Sequence, residues 1–204
     1  MTGRPAIQVA YHEAGHAAVA SRFGLAVRSL SSIPDGDSRA VVRQYPDQLA
    51  RSDPEEWRLM WETDSRFRRR FEARVMSLAA GVLAEEKHLG RELAADERAG
   101  IGFQDIGRPD GVCVLIPGSD SWKIAALTEK VSRSEDERVA YEAWLAARAA
   151  SVLADVIIWS QVGAVARALA AERRLTGRRY RELLGAGWDE AAGRFSARLS
   201  VTGL

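Results

Sequence analysis

Trp57, Met60, Trp61, Phe67, Phe71, Val75, Leu78 and Val82 fall on the three- and four-residue repeat of an α-helix, with one turn skipped after Trp61. Residues at that spacing share one helix face, so the run predicts one apolar stripe on a long helix ending near Gly90. Asp53-Pro54-Glu55-Glu56 supplies its start: an N-cap aspartate, a proline at the first helical position and acids in the first turn. A single stripe of that length must be covered by other elements, which commits the chain to packing helices together.

The rest of the sequence supplies those helices. Ile7 to Phe23 reads as a first helix ended by Gly24, which suits a left-handed cap. Ser119-Asp120-Ser121 opens another, running through Trp122, Ile124, Leu127 and Val131. Ser134 with Glu135, Asp136 and Glu137 forms a second acidic cap, followed by a long helix to about Arg174 that is expected to bend near Gly163. Thr176 caps a short final helix carrying Tyr180, Leu183 and Leu184. Only residues 25–45 read as β, with short runs at Val27–Ile33 and Arg39–Gln44 around the turn sequence Pro34-Asp35-Gly36-Asp37. Gly100 to Gly118 reads as a loop holding a short apolar run, Val112 to Ile116. The expected fold class is mainly α with one small β-hairpin after the first helix.

At 204 residues this is one domain with an extension at most. A net charge of +1 argues against a nucleic-acid binder working by bulk attraction. The cluster Arg66-Phe67-Arg68-Arg69-Arg70-Phe71 resembles a basic patch, but its phenylalanines fall on the core stripe and leave the arginines on a solvated face. The tryptophans sit mostly at helical spacing, as core or helix-packing residues. No phosphate-cradling glycine loop is present. Lone Cys113 excludes a disulfide framework and, lying in an apolar run, is expected to be buried. No signal peptide or membrane span is apparent, so the expectation is a soluble, cytoplasmic chain.

Histidine is the informative scarcity. Of three, two stand four residues apart in His12-Glu13-Ala14-Gly15-His16, on a predicted helix. Residues i and i+4 share a helix face, so both imidazoles can reach one ion, and Glu13 beside them can serve as general base. Zinc in such a site acidifies a water molecule and polarises the carbonyl under attack. The third histidine, His88, lies in a last helical turn beside Lys87 and is expected to cap that helix end.

Ala10-Tyr11-His12-Glu13-Ala14-Gly15-His16-Ala17 closely resembles the zinc helix of the FtsH-type metalloprotease family. Val27 to Pro34, ending Ser31-Ser32-Ile33-Pro34, is similar to the family's following strand. Ala80-Gly81-Val82-Leu83-Ala84-Glu85-Glu86 resembles its Gly-x-x-Ala-Glu-Glu helix. Val165-Ala166 through Arg174-Leu175-Thr176-Gly177 resembles its closing helix and Leu-Thr-Gly turn. The likeness touches most of residues 5–185; it implies a metallopeptidase domain over residues 1–185 and leaves 186–204 as a C-terminal helical tail.

The resemblance implies a third ligand, an aspartate from a later helix, and two candidates compete. Gly102-Phe103-Gln104-Asp105-Ile106 looks locally like the family's stretch, but glycines and Pro109 follow at once. Asp120 opens a good amphipathic helix and is favoured. Glu85 and Glu86 are either a solvated face, the ordinary fate of adjacent glutamates, or carboxylates that orient a ligand histidine. The strand ending at Ser31, Ser32 and Ile33 would bind an extended peptide along its edge.

The activity so implied is zinc-dependent endopeptidase cleavage by metal-activated water, with Zn2+ on His12, His16 and Asp120 and a protein or peptide as substrate. The alternatives are a catalytically silent metal-binding regulatory module, and a helical binding protein without metal. With the motif at residue 12, the family's ATPase module and membrane anchor are not expected before it. The chain is therefore expected to cut unstructured segments or to rely on a delivery or ATPase partner, without nucleic acid or membrane; oligomeric state is left open.

Overall fold

Helix α1 (Ala6–Arg22) is buried at every position from His12 to Ala20. Its alanines and Gly15 make that possible, because small side chains let neighbouring backbones come close. In the computed structural model, which describes residues 5–33, 41–44, 56–92 and 119–185, α1 lies against the long helix α3 (Ser65–Leu89). A Cβ added at Gly15 would stand 2.5 Å from the Ala80 carbonyl oxygen and 2.5 Å from Ala84 Cβ. The glycine marks the place where the two helices touch.

The expected stripe on α3 is present: Phe67, Phe71, Val75, Leu78 and Val82 are buried, while Arg66, Arg69 and Arg70 are exposed. It does not belong to one helix, however. Helix α2 (Trp57–Thr63) ends at Asp64, whose carboxylate accepts from the Arg66 and Phe67 N–H groups and starts α3 afresh. The Asp53-Pro54 start lies outside the described residues. Gly90, at φ 67°, closes α3.

Helix α4 (Asp120–Thr128) starts on the Ser119 hydroxyl, and α5 (Glu135–Ala154) on the Ser134 hydroxyl, as the sequence predicts. The expected bend at Gly163 is corrected. The chain turns by 84° at Asp155, whose side chain accepts from the Ile157 and Ile158 N–H groups and launches α6 (Val156–Glu172). Gly163 stays inside α6, where an added Cβ would come within 3.2 Å of Arg167 and 3.6 Å of the Tyr11 hydroxyl. No single helix among the described residues is long and apolar enough to cross a membrane.

Strands β1 (Val27–Ser31) and β2 (Val41–Gln44) form the expected antiparallel pair, whose turn lies outside the described residues. A third strand, β3 (Arg174–Thr176), adds to the other side of β1, giving the order β2-β1-β3. Thr176 then caps α7 (Gly177–Leu184) through the Arg179 N–H. Tyr180 of α7 is buried and donates its hydroxyl back toward the Ala17 carbonyl, 2.8 Å away on α1. The architecture is therefore mainly α with a small antiparallel sheet, and α1 at its centre is held by α3, α6 and α7. Trp57 is buried in that core, as expected for a packing residue, whereas Trp122 and Trp144 are exposed. The loop with Cys113 and Asp105, and the tail 186–204, lie outside the described residues.

Candidate metal centre

His12, Glu13 and His16 are exposed by only 6%, 4% and 7%. Polar side chains so deeply placed in the middle of a helix have to be paired or to bind something. One donor atom from each of the three lies within 4.8 Å of the others, so the group can hold a metal ion. The two imidazole rings meet edge to face, their centroids 4.6 Å apart.

The partner of His16 on its far side is the backbone of α3. His16 Nδ1 lies 2.7 Å from the Ser77 carbonyl oxygen and must donate to it, since a carbonyl only accepts. The Ser77 hydroxyl in turn donates to the His16 carbonyl, 3.0 Å away. That pair of bonds fixes the ring and turns Nε2 inward. Nε2 faces Asp120 Oδ2 at 3.1 Å. Two electron-rich atoms at that separation need a cation between them, a proton or a metal.

Asp120 comes from the first turn of α4, and the same Oδ2 lies 3.3 Å from His12 Nε2. Donors of a tetrahedral ion with bonds of about 2.0–2.1 Å stand roughly 3.3 Å apart. The two distances from Oδ2, 3.3 and 3.1 Å, lie close to that separation. The fit has a second mark in Gly81 of α3, where an added Cβ would fall 2.4 Å from His16 Cε1 and 2.7 Å from His12 Nε2. The rings occupy the room a side chain would take.

His12 Nδ1 has Glu85 Oε2 at 3.4 Å but forms no hydrogen bond within the usual limits. Glu85 itself is 1% exposed, so of the two readings offered for the glutamate pair, the solvated face does not apply to it. Burial alone would discharge the His12 imidazolium, but the bond to Asp120, then Glu85 and Glu13, outweigh it and raise its pKa to about 9. Burial pushes the Asp120 carboxyl up, yet the facing histidines hold it well below the usual carboxylate range. Without metal, a protonated His12 stands against the Asp120 carboxylate.

Neither a protein-family model nor a curated protein matches the chain. The functional reading therefore rests on the site's own chemistry and on the motif itself.

The remaining expected site residues divide. His88 lies in the last turn of α3, as expected, and its ring stacks on Tyr11 with centroids 3.8 Å apart; the backbone cap there is the Gly90 N–H. Lys87 reaches across to the Leu153 carbonyl at the end of α5. Ser31, Ser32 and Ile33 follow a corrected strand, because β1 is central in the sheet and offers no open edge. The Ser32 N–H donates to the Arg173 carbonyl at 3.0 Å, and the Ile33 N–H to the Ser31 hydroxyl at 3.1 Å. The backbone N–H groups of Ser32 and Ile33 are thus already paired. Two contributors escape a reading of motifs: the Ser77 carbonyl, and Lys123, whose Nζ lies 3.1 Å from Asp120 Oδ1. Only Lys123 has a signal in the sequence, the i,i+3 spacing of opposite charges at a helix start; Gly81 stands in the Gly-x-x-Ala-Glu-Glu resemblance, which does not give its place against the two rings.

Proposed function

We propose that this protein is a zinc metallopeptidase in which His12, His16 and Asp120 hold the ion and Glu13 is the general base. The observation that carries the reading is the convergence of both Nε2 atoms on one carboxylate oxygen, at 3.3 and 3.1 Å, beside a buried glutamate. When bound there, zinc supplies a Lewis acid that lowers the pKa of water and polarises a peptide carbonyl. Glu13 takes the proton from the attacking water and returns it to the departing amine nitrogen. The Ser77 carbonyl keeps the His16 ring turned inward, and Glu85 stands behind His12. Likeness to the FtsH-type zinc helix supports a protein or peptide substrate, cut in unstructured segments or delivered by a partner.

Elemental analysis of gently purified protein tests the metal, with near-stoichiometric zinc expected. Casein cleavage tests the chemistry: Glu13→Gln is expected to retain zinc and lose cleavage. Zinc without cleavage in the wild type would leave a metal-binding module as the reading. Absence of metal would end both.

A further inference from the structure

Asp120 divides its two oxygens between two partners. Oδ2 faces the histidines, while Oδ1 is held by the Lys123 ammonium at 3.1 Å, one helical turn along α4. The lysine side chain is 41% exposed and the aspartate 16%, so the pair lies at the rim of the site with its anion inward. Ion pairs that open to water add little to fold stability, which makes a purely structural role a poor account of this one. A carboxylate beside a divalent ion can bind through one oxygen or through both. An ammonium on Oδ1 occupies its lone pairs and charges that oxygen against a second bond to a cation.

We propose that Lys123 is a positioning residue that confines Asp120 to single-oxygen ligation and so keeps one coordination position open for water and substrate. The inference rests on the metal site proposed above. Three protein donors and one open position are what a hydrolytic zinc site requires, and a second oxygen from Asp120 would fill the gap. The expected consequence is unusual in sign. Removal of an ordinary supporting contact weakens metal binding about ten- to a hundredfold. Removal of Lys123 frees Oδ1 to join the ion, so zinc is held at least as tightly while the site loses its open position.

The test uses chelator-stripped full-length protein titrated with zinc and, separately, with cobalt(II), whose visible bands weaken as coordination rises above four. Lys123→Met is expected to bind zinc no more weakly than wild type, to show cobalt bands several times weaker, and to melt like wild type without metal. Lys123→Arg keeps a cation on Oδ1 and is expected to restore the wild-type cobalt spectrum. An unchanged spectrum in Lys123→Met would overturn the proposal, and so would a tenfold loss of zinc affinity. Lower stability of Lys123→Met with and without metal would also overturn it, assigning the lysine to the fold. Wild type that takes up neither metal removes the metal reading and this inference together, whereas wild type that binds while the variant behaves identically removes the inference alone.

Discussion

On the α1–α3 side, the site is set by backbones in contact. Gly15 meets the Ala80 carbonyl, Gly81 gives its Cβ space to the two imidazoles, and the Ser77 carbonyl holds His16. On the α4–α5 side the pieces are polar and cross longer side chains. Ser119 starts the helix that carries Asp120, Lys123 grips the aspartate, and buried Thr128 contacts buried Glu142, which Arg138 pairs at 2.7 Å. The histidines thus stand on a surface that cannot shift without a clash, while the aspartate stands on one held by bonds that can be exchanged. Both histidines are fixed by packing and Asp120 by adjustable polar contacts.

Gly81→Ala is the strongest way to break the rigid side. A methyl group 2.4–2.7 Å from both rings forces them apart, at a cost of about 3 kcal/mol or more; calorimetric melting and loss of metal uptake measure it. On the adjustable side, Asp120→Asn is expected to lower zinc affinity about ten- to a hundredfold while the protein still folds, read by chelator competition. If both substitutions unfolded the protein equally, the contrast between the two sides would be gone.

The pH dependence sharpens the contrast further. In metal-free protein the His12 pKa stands at about 9, against 6.5 for the free side chain. Its folded value is the higher, so the stability it contributes is complete below about pH 6.5 and drains away as pH rises through about 9. Melting temperature of chelator-treated protein is expected to fall across that window. Zinc affinity should rise over the same window, because binding displaces the proton. The depressed carboxyl of Asp120 works in the opposite sense, adding stability above the ordinary aspartate pKa that is lost in strong acid.

Thr128→Val removes a partner from buried Glu142 and is expected to cost about 1–2 kcal/mol by thermal melting, with zinc affinity unchanged. Ile157→Ser is the smallest case. Ile157 is 66% exposed at the elbow between α5 and α6, and its replacement should stay within about 0.5 kcal/mol.

Element type was legible wherever a local rule acts alone. The hydroxyls of Ser119, Ser134 and Thr176 all cap the helices they were expected to cap. Asp64 and Asp155 were missed for one shared reason. Each is an aspartate within an otherwise helical pattern, and each binds the N–H groups two and three residues on, converting one apparent helix into two. The stripe in fact skips from Trp61 to Phe67, with Asp64 in the gap. At the site, His12, Glu13 and His16 follow from the 3.6-residue repeat, because they share one helix. The burial of Glu85 and the neighbourhood of Gly81 depend on where α1 crosses α3, and no sequence spacing encodes a crossing. β3 is three residues long, too short for alternation to reveal it, and it exists because Leu175 and its neighbours pair with Ser29, Leu30 and Ser31.

The hydroxyl of Tyr180 on the Ala17 carbonyl has a consequence in time. The ribosome delivers the helix that bears both histidines first, and the residue that clasps its far end more than 160 positions later. By then α3 and α6 have been made and can cover α1, but its far end still lacks this bond, and contacts so distant along the chain close slowly. A nascent chain stopped before residue 180 would carry the entire His12–Glu13–His16 motif and still lack the clasp on the helix that presents it.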